Sequence, residues 1–303
     1  MNASNDDEFN AEQNAMNAAM QAEVDARNLQ GLDVFSGLSP MQMSALLYKP
    51  FDSPDVLTFP KAVEGADAPI LSLFLLLAER IGEKGVKLTA TGNLPRNLCR
   101  EVAQIHMGED GYLERTKFGG INTETDVYDL HIMRLVAGLA KLTRKYRGKI
   151  LLTKKATKLL EAGQHGELYM HLFKAYTTEF NWGYWDAYPE LQIIQMAFAY
   201  HIHSWQCMGG GAVESYHSVS HLLGAFPMMI DEVMEEKSEY IRSDPASHIE
   251  RCYNTRVLHR FGEFLGLLSL ESVAKKEVPH LTSHYVVRAK PLLSQVVVFT
   301  QSH

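Results

Sequence analysis

Eight basic side chains fall within residues 141–158, KLTRKYRGKILLTKKATK: Lys141, Arg144, Lys145, Arg147, Lys149, Lys154, Lys155 and Lys158. No acid interrupts them, in a chain whose net charge is −7. Cations at this density suit the neutralisation of a polyanion, either the phosphates of a nucleic acid or an acidic protein surface. The compensating acids lie elsewhere. Residues 1–30 carry six acids against Arg27 alone, which makes the N-terminus a candidate internal partner. A plainer reading also exists, because exposed hairpins are often lysine-rich to block edge-to-edge pairing.

A second group of residues has the types for metal chemistry. His201, His203 and Cys207 precede His217 and His221, and the last two stand four apart, on one face of a helix. Zinc or iron is held by such sets. Yet His201 and His203 point to different sides of a helix, and Glu214 is the one carboxylate nearby. With 13 histidines in the chain, chance clusters are expected. These side chains read as surface or hydrogen-bonded core histidines, with no metal and no cofactor. No G-x-S-x-G, H-E-x-x-H or P-loop is present, and Gly209, Gly210 and Gly211 lack dinucleotide-site spacing. The reading is non-enzymatic.

The basic residues need elements to carry them. Residues 142–145 and 149–153 read as two short strands, with the turn at Tyr146, Arg147 and Gly148. Gly148 supplies the positive φ that a tight hairpin requires. Upstream, Asp67 and Pro69 open a helix whose apolar residues Ile70, Leu73, Phe74, Leu77 and Ile81 share one face. Gly82 and Gly85 stop it, and residues 86–89 form a strand. Asn93 and Pro95 start a second helix that ends near Gly108. Residues 108–122 read as loop. Thr123 or Thr125 starts a third helix to about residue 140, with His131, Arg134, Gly138 and Lys141 on its outer face. Helix, strand, helix, helix, hairpin is the order of a winged helix. Its third helix would enter a major groove with Arg134 among its contacts. Glu124, Asp126 and Asp129 oppose that, since they crowd the turns where groove contacts usually lie.

The remaining chain is mostly helical. Ser39 and Pro40 start a short helix to Tyr48, and residues 51–65 read as an extended linker. Helices are expected over 166–180, 190–205, 213–223, 228–240 and 244–265. Strands are expected at 266–270 and 284–288, joined by a long wing, and residues 291–299 as a short helix or strand. Between them lies FNWGYWDAYP, residues 180–189, with five aromatics in nine residues. Such rings can stack on bases, but no basic residue is interleaved, so a plug between domains is the better reading.

Four stretches resemble a family of uncharacterised bacterial proteins: LTATGNLPR at 88–96, ILLTKK at 150–155, FNWGY at 180–184 and RFGEFLGL at 260–267. Related proteins are described as plasmid ORF-3-like or insertion-element passenger proteins, and some carry a SEC-C metal motif. The resemblance spans roughly 37–299 and implies no catalytic residues. This chain lacks the Cys-rich end that a SEC-C motif needs. A mobile-element setting is compatible with nucleic acid by analogy alone.

The fold class expected is therefore mainly α with small β-sheets (α+β), in tandem winged-helix-like lobes. The division is an acidic mobile tail over 1–36, a short helix and linker over 37–66, a first winged-helix-like domain over 67–165, and a helical second domain over 166–303 that ends in a similar unit. Three scattered cysteines, a polar N-terminus and no long apolar run point to a cytoplasmic protein. The most apolar run has eleven residues, against about twenty needed to span a bilayer. The sequence leaves the oligomeric state open.

Overall fold

The computed structural model describes residues 3–188, 191–209, 211–235, 244–273 and 284–300, with side chains from residue 13 onward. It is mainly α with small antiparallel sheets. The chain opens with α1 (Ala3–Leu29), then α2 (Pro40–Tyr48) and β1 (Leu57–Thr58). The N-terminal segment, expected as a mobile tail or a loosely docked helix, carries a helix over Ala3–Leu29. Its run of Ala, Gln and Glu has high helical propensity. Ser39 and Gln42 form the capping box that starts α2, each side chain bonding the other's backbone. The expected linker 51–65 carries β1, which pairs with the end of the chain.

The first sheet-bearing half comprises α3 (Pro69–Ile81), β2 (Val86–Lys87), α4 (Arg96–Thr116), α5 (Tyr128–Leu139), β3 (Thr143–Tyr146) and β4 (Lys149–Leu152). The strand order is β2-β4-β3, so the lone strand pairs with the hairpin as expected. One loop assignment fails: α4 runs past Gly108 to Thr116. Gly108, at φ 70° and ψ 176°, is non-helical, so the first helical segment ends there as expected, and a second segment continues to Thr116 where a loop was expected. Then come α6 (Lys154–Glu161), capped by Thr153, and α7 (His165–Thr178).

The second half continues with α8 (Gln192–Met196), α9 (Phe198–Cys207), β5 (Val213–Glu214), α10 (Ser215–Ala225), α11 (Met228–Glu235) and α12 (Pro245–Tyr253). From α12 the chain passes directly into a π-helix over Asn254–Glu263, then β6 (Leu268–Val273), β7 (His284–Ala289) and β8 (Val298–Phe299). The expected helix 213–223 begins instead with β5, which completes a sheet of order β5-β7-β6. In both sheets the first strand in sequence is an edge and the last is central. Residues 236–240 of the expected 228–240 helix, and most of the long connection before β7, lie outside the described residues.

One hydrophobic core runs through both halves. Trp182, Trp205, Tyr169, Tyr176 and Phe261 are among its largest fully buried side chains. The halves meet tightly at Gly266, which has φ 70° and where an added Cβ would collide with the Asp67 carbonyl.

Candidate nucleic-acid interface

The hairpin begins where α5 ends. Lys141 takes a left-handed conformation (φ 56°), and the Lys141 and Leu142 amides return to the carbonyls of Gly138 and Ala137. That is the double hydrogen bond of a Schellman stop. Tyr146 pairs with Lys149, so the turn proper is two residues, Arg147 (φ 48°) and Gly148 (φ 72°). Positive φ at both positions is the type I′ geometry that matches strand twist. At the base, the Thr153 hydroxyl donates to the Lys141 carbonyl at 2.9 Å and accepts from the Ala156 amide at 3.3 Å. One side chain therefore ties the hairpin's two ends and starts α6.

All eight basic residues of 141–158 are exposed. None of them forms an ion pair among the described residues. Arg144 and Arg147 sit at 5.3 Å and 5.2 Å from the centroid of the Tyr146 ring, one from the strand and one from the turn. Lys149 Nζ donates to the Lys84 carbonyl at 3.0 Å. Lys154 and Lys155 occupy the first turn of α6, where the helix dipole is already positive. Partial burial lowers the Lys155 pKa, Lys141 adds repulsion and Glu167 opposes them. The result is a concentrated positive field in which no cation is held in an ion pair among the described residues.

Arg134 does not belong to that surface. It is 5% exposed, and its Nε donates to Glu124 at 2.6 Å. Glu124 is fully buried and also takes the Leu94 amide at 2.6 Å and His131 Nδ1 at 2.7 Å. Burial alone would raise this carboxyl, but the His131 bond, the Arg134 charge and the Leu94 amide together hold it below the usual range. Glu124 is thus an internal counter-ion and not a repulsive surface acid. Asp126 is also engaged locally, accepting the Asn122 and Thr123 amides at 2.8 Å each, which lowers its pKa. Of the expected outer face of α5, His131 and Arg134 are buried, while Gly138 and Lys141 are exposed. The helix packs on α3, α4 and α7, so no groove can reach its full length.

The aromatic stretch explains why. Phe180 and Trp182 are buried, and Trp182 Nε1 donates to the Tyr176 carbonyl at 3.0 Å. Asp186 receives Arg256 through two bonds of 2.9 and 2.7 Å, and Arg260 at 3.1 Å. Arg260 also donates to the Trp182 and Tyr184 carbonyls and lies 4.6 Å from the Tyr128 ring centroid. His131 Nε2 meets the Tyr184 hydroxyl at 3.1 Å. This segment joins α5 of one half to the π-helix of the other, as a plug between them. A π-helix was not legible in the sequence, nor was the pairing of its arginines with Asp186.

The histidine group does not assemble. His201 is 2% exposed, bonded to the Ile194 carbonyl, and burial lowers its pKa to about 4. His203 bonds the Ser36 carbonyl at 3.1 Å and lies 3.6 Å from the Cys207 sulfur. His217 and His221 are exposed on α10. Among the described residues no three His, Cys, Asp or Glu groups converge on a metal position, and no helix is long and apolar enough to cross a membrane.

A family profile described as the Y4jL N-terminal domain matches residues 66–166, the segment from just before α3 to the start of α7. It contains the whole basic hairpin. No curated protein and no solved structure matches the chain.

Proposed function

We propose that this chain is a non-enzymatic winged-helix protein that binds nucleic acid through its basic hairpin. One observation carries the reading: eight exposed cations, without an ion pair among the described residues, stand together on an acidic protein. The helix order and the β2-β4-β3 sheet support the winged-helix reading of residues 67–165, and the β5-β7-β6 sheet supports a second such unit within 166–303. The resemblance to insertion-element passenger proteins, and a cytoplasmic setting, agree with it by analogy.

The contacts are phosphate contacts by Lys141, Arg144, Lys145, Arg147, Lys149, Lys154, Lys155 and Lys158. They give affinity without much sequence information. Arg134 is withdrawn from the set because it neutralises Glu124. The test is binding at low ionic strength, where attraction is strongest. Duplex and single-stranded oligonucleotides should bind and should be released as salt rises. Absence of binding at low salt defeats the reading. The hairpin would then face an acidic protein surface, and the acid-rich helix α1 is the nearest example of that chemistry.

A further inference from the structure

We infer that the nucleic acid held by the hairpin is single-stranded, and that Trp185 and Tyr146 stack its bases; this rests on the function proposed above. The aromatic segment is not uniform. Trp182 is 1% exposed, whereas Trp185, three residues on, is 58% exposed. Trp185 also has φ 57°, a left-handed conformation that a bulky residue rarely adopts. Its neighbours fix it there: the Asp186 amide returns to the Gly183 carbonyl, and the Asp186 carboxylate is clamped by Arg256 and Arg260. The indole lies nearly parallel to Tyr184, at 5.5 Å and 19°, and to His131, at 5.5 Å and 25°. A ring serving only as filler would turn inward, as Trp182 does. Here a strained backbone presents a supported flat face to solvent.

Tyr146 is the second such face. It is 49% exposed, with the Arg144 and Arg147 guanidiniums 5.3 and 5.2 Å from its ring centroid. Aromatic rings interleaved with cations are the pattern of single-strand binders, because every base has a π-face and the phosphates follow the cations. The two platforms stand at opposite ends of α5. His131 supports Trp185 in the first turn of α5, and the hairpin that carries Tyr146 begins where α5 ends. A duplex gains nothing from either ring, since its bases are already stacked, and the buried α5 cannot enter its groove.

The chain contains three tryptophans. Trp182 and Trp205 are both 1% exposed, so the acrylamide-accessible emission belongs to Trp185. The intact protein is titrated with oligo-dT, oligo-U and a mixed-sequence duplex of equal length. Oligo-dT and oligo-U should each quench that component and shield it from acrylamide, and the comparison of the two reports which pentose is preferred. The duplex should leave it accessible. Trp185→Ala and Tyr146→Ala should each weaken single-strand binding about tenfold. Neither should alter the salt dependence or the duplex affinity, and circular dichroism should be unchanged. If single strands bind while Trp185 stays accessible and Trp185→Ala binds equally well, the stacking inference is overturned and the hairpin reading survives. If neither single strands nor duplex bind to the unaltered protein at low salt, the hairpin reading itself has failed, and this inference with it.

Discussion

The two hairpins occupy equivalent places in sheets of the same connectivity, yet their surfaces differ. In β3–β4 the strands and turn carry Arg144, Lys145, Arg147 and Lys149 with no acid. In the strands of β6–β7, Glu271 faces Arg288 at 3.4 Å across the ladder, and His284 lies 3.6 Å from Glu250. Connectivity alone therefore does not make a binding surface, because on the second hairpin Arg288 is already paired with Glu271. The helices that precede the two hairpins show the opposite relation. Both α5 and the π-helix are committed to the interior: Arg134 meets Glu124, and Arg256 meets Asp186. In each half the helix before the hairpin holds a buried arginine against an internal carboxylate, and among the described residues the first hairpin is the one whose cations lack ion pairs.

The strongest way to break this comparison is to remove the internal anions. Glu124→Ala leaves Arg134 buried and uncompensated, and Asp186→Ala does the same to Arg256. Each should cost about 3–5 kcal/mol in urea unfolding. A loss below 1 kcal/mol would mean that these helices are not fixed by their ion pairs.

A second test uses pH. His201 titrates near 4 in the folded chain, from an ordinary value near 6.5. Between those values the unfolded chain binds more protons, so stability rises with pH across that window and is lost as pH falls through it. A shift of this size corresponds to about 3 kcal/mol. His203 and His171, both lowered chiefly by burial, act in the same direction. His201→Phe should flatten the slope, measured by unfolding between pH 4 and 7. Glu124 has a depressed pKa, so its contribution holds above the ordinary carboxylate range and disappears as pH falls below it.

The smallest effect on folding belongs to the hairpin. Arg147→Ala with Lys149→Ala should change stability by less than about 0.5 kcal/mol, because exposed unpaired charges contribute little. A large loss would mark the cations as structural and undo the contrast with the internal arginines.

Much of this architecture was legible in local signals. Ser39 with Pro40, Pro69, and Gly148 behind Arg147 each specify their element by a short-range bond or a backbone preference. What escaped depended on distance in sequence. A helical wheel places Arg134 opposite Ile132 and Val136 and assigns it to solvent. It cannot show that Glu124 and the plug cover that face as well. The two-residue strand β5 has no periodicity to read and exists because β7 offers it an edge. Gly108 does end one helical segment, but the short segment after it, up to Thr116, had too little apolar periodicity to be read as helix. The basic stretch was visible from composition, but its lack of internal partners required the positions of every described acid.

The most direct test compares salt dependence. Affinity for one duplex is measured by fluorescence anisotropy from roughly 50 to 200 mM salt, for the unaltered chain, the Arg147→Ala/Lys149→Ala variant and Arg288→Ala. If Arg147 and Lys149 neutralise phosphates, the double variant should bind more weakly at every salt concentration, and its logarithmic slope should flatten by about two units. Arg288→Ala, which removes a guanidinium already paired with Glu271, should follow the unaltered chain. Equal slopes for all three proteins would contradict the account.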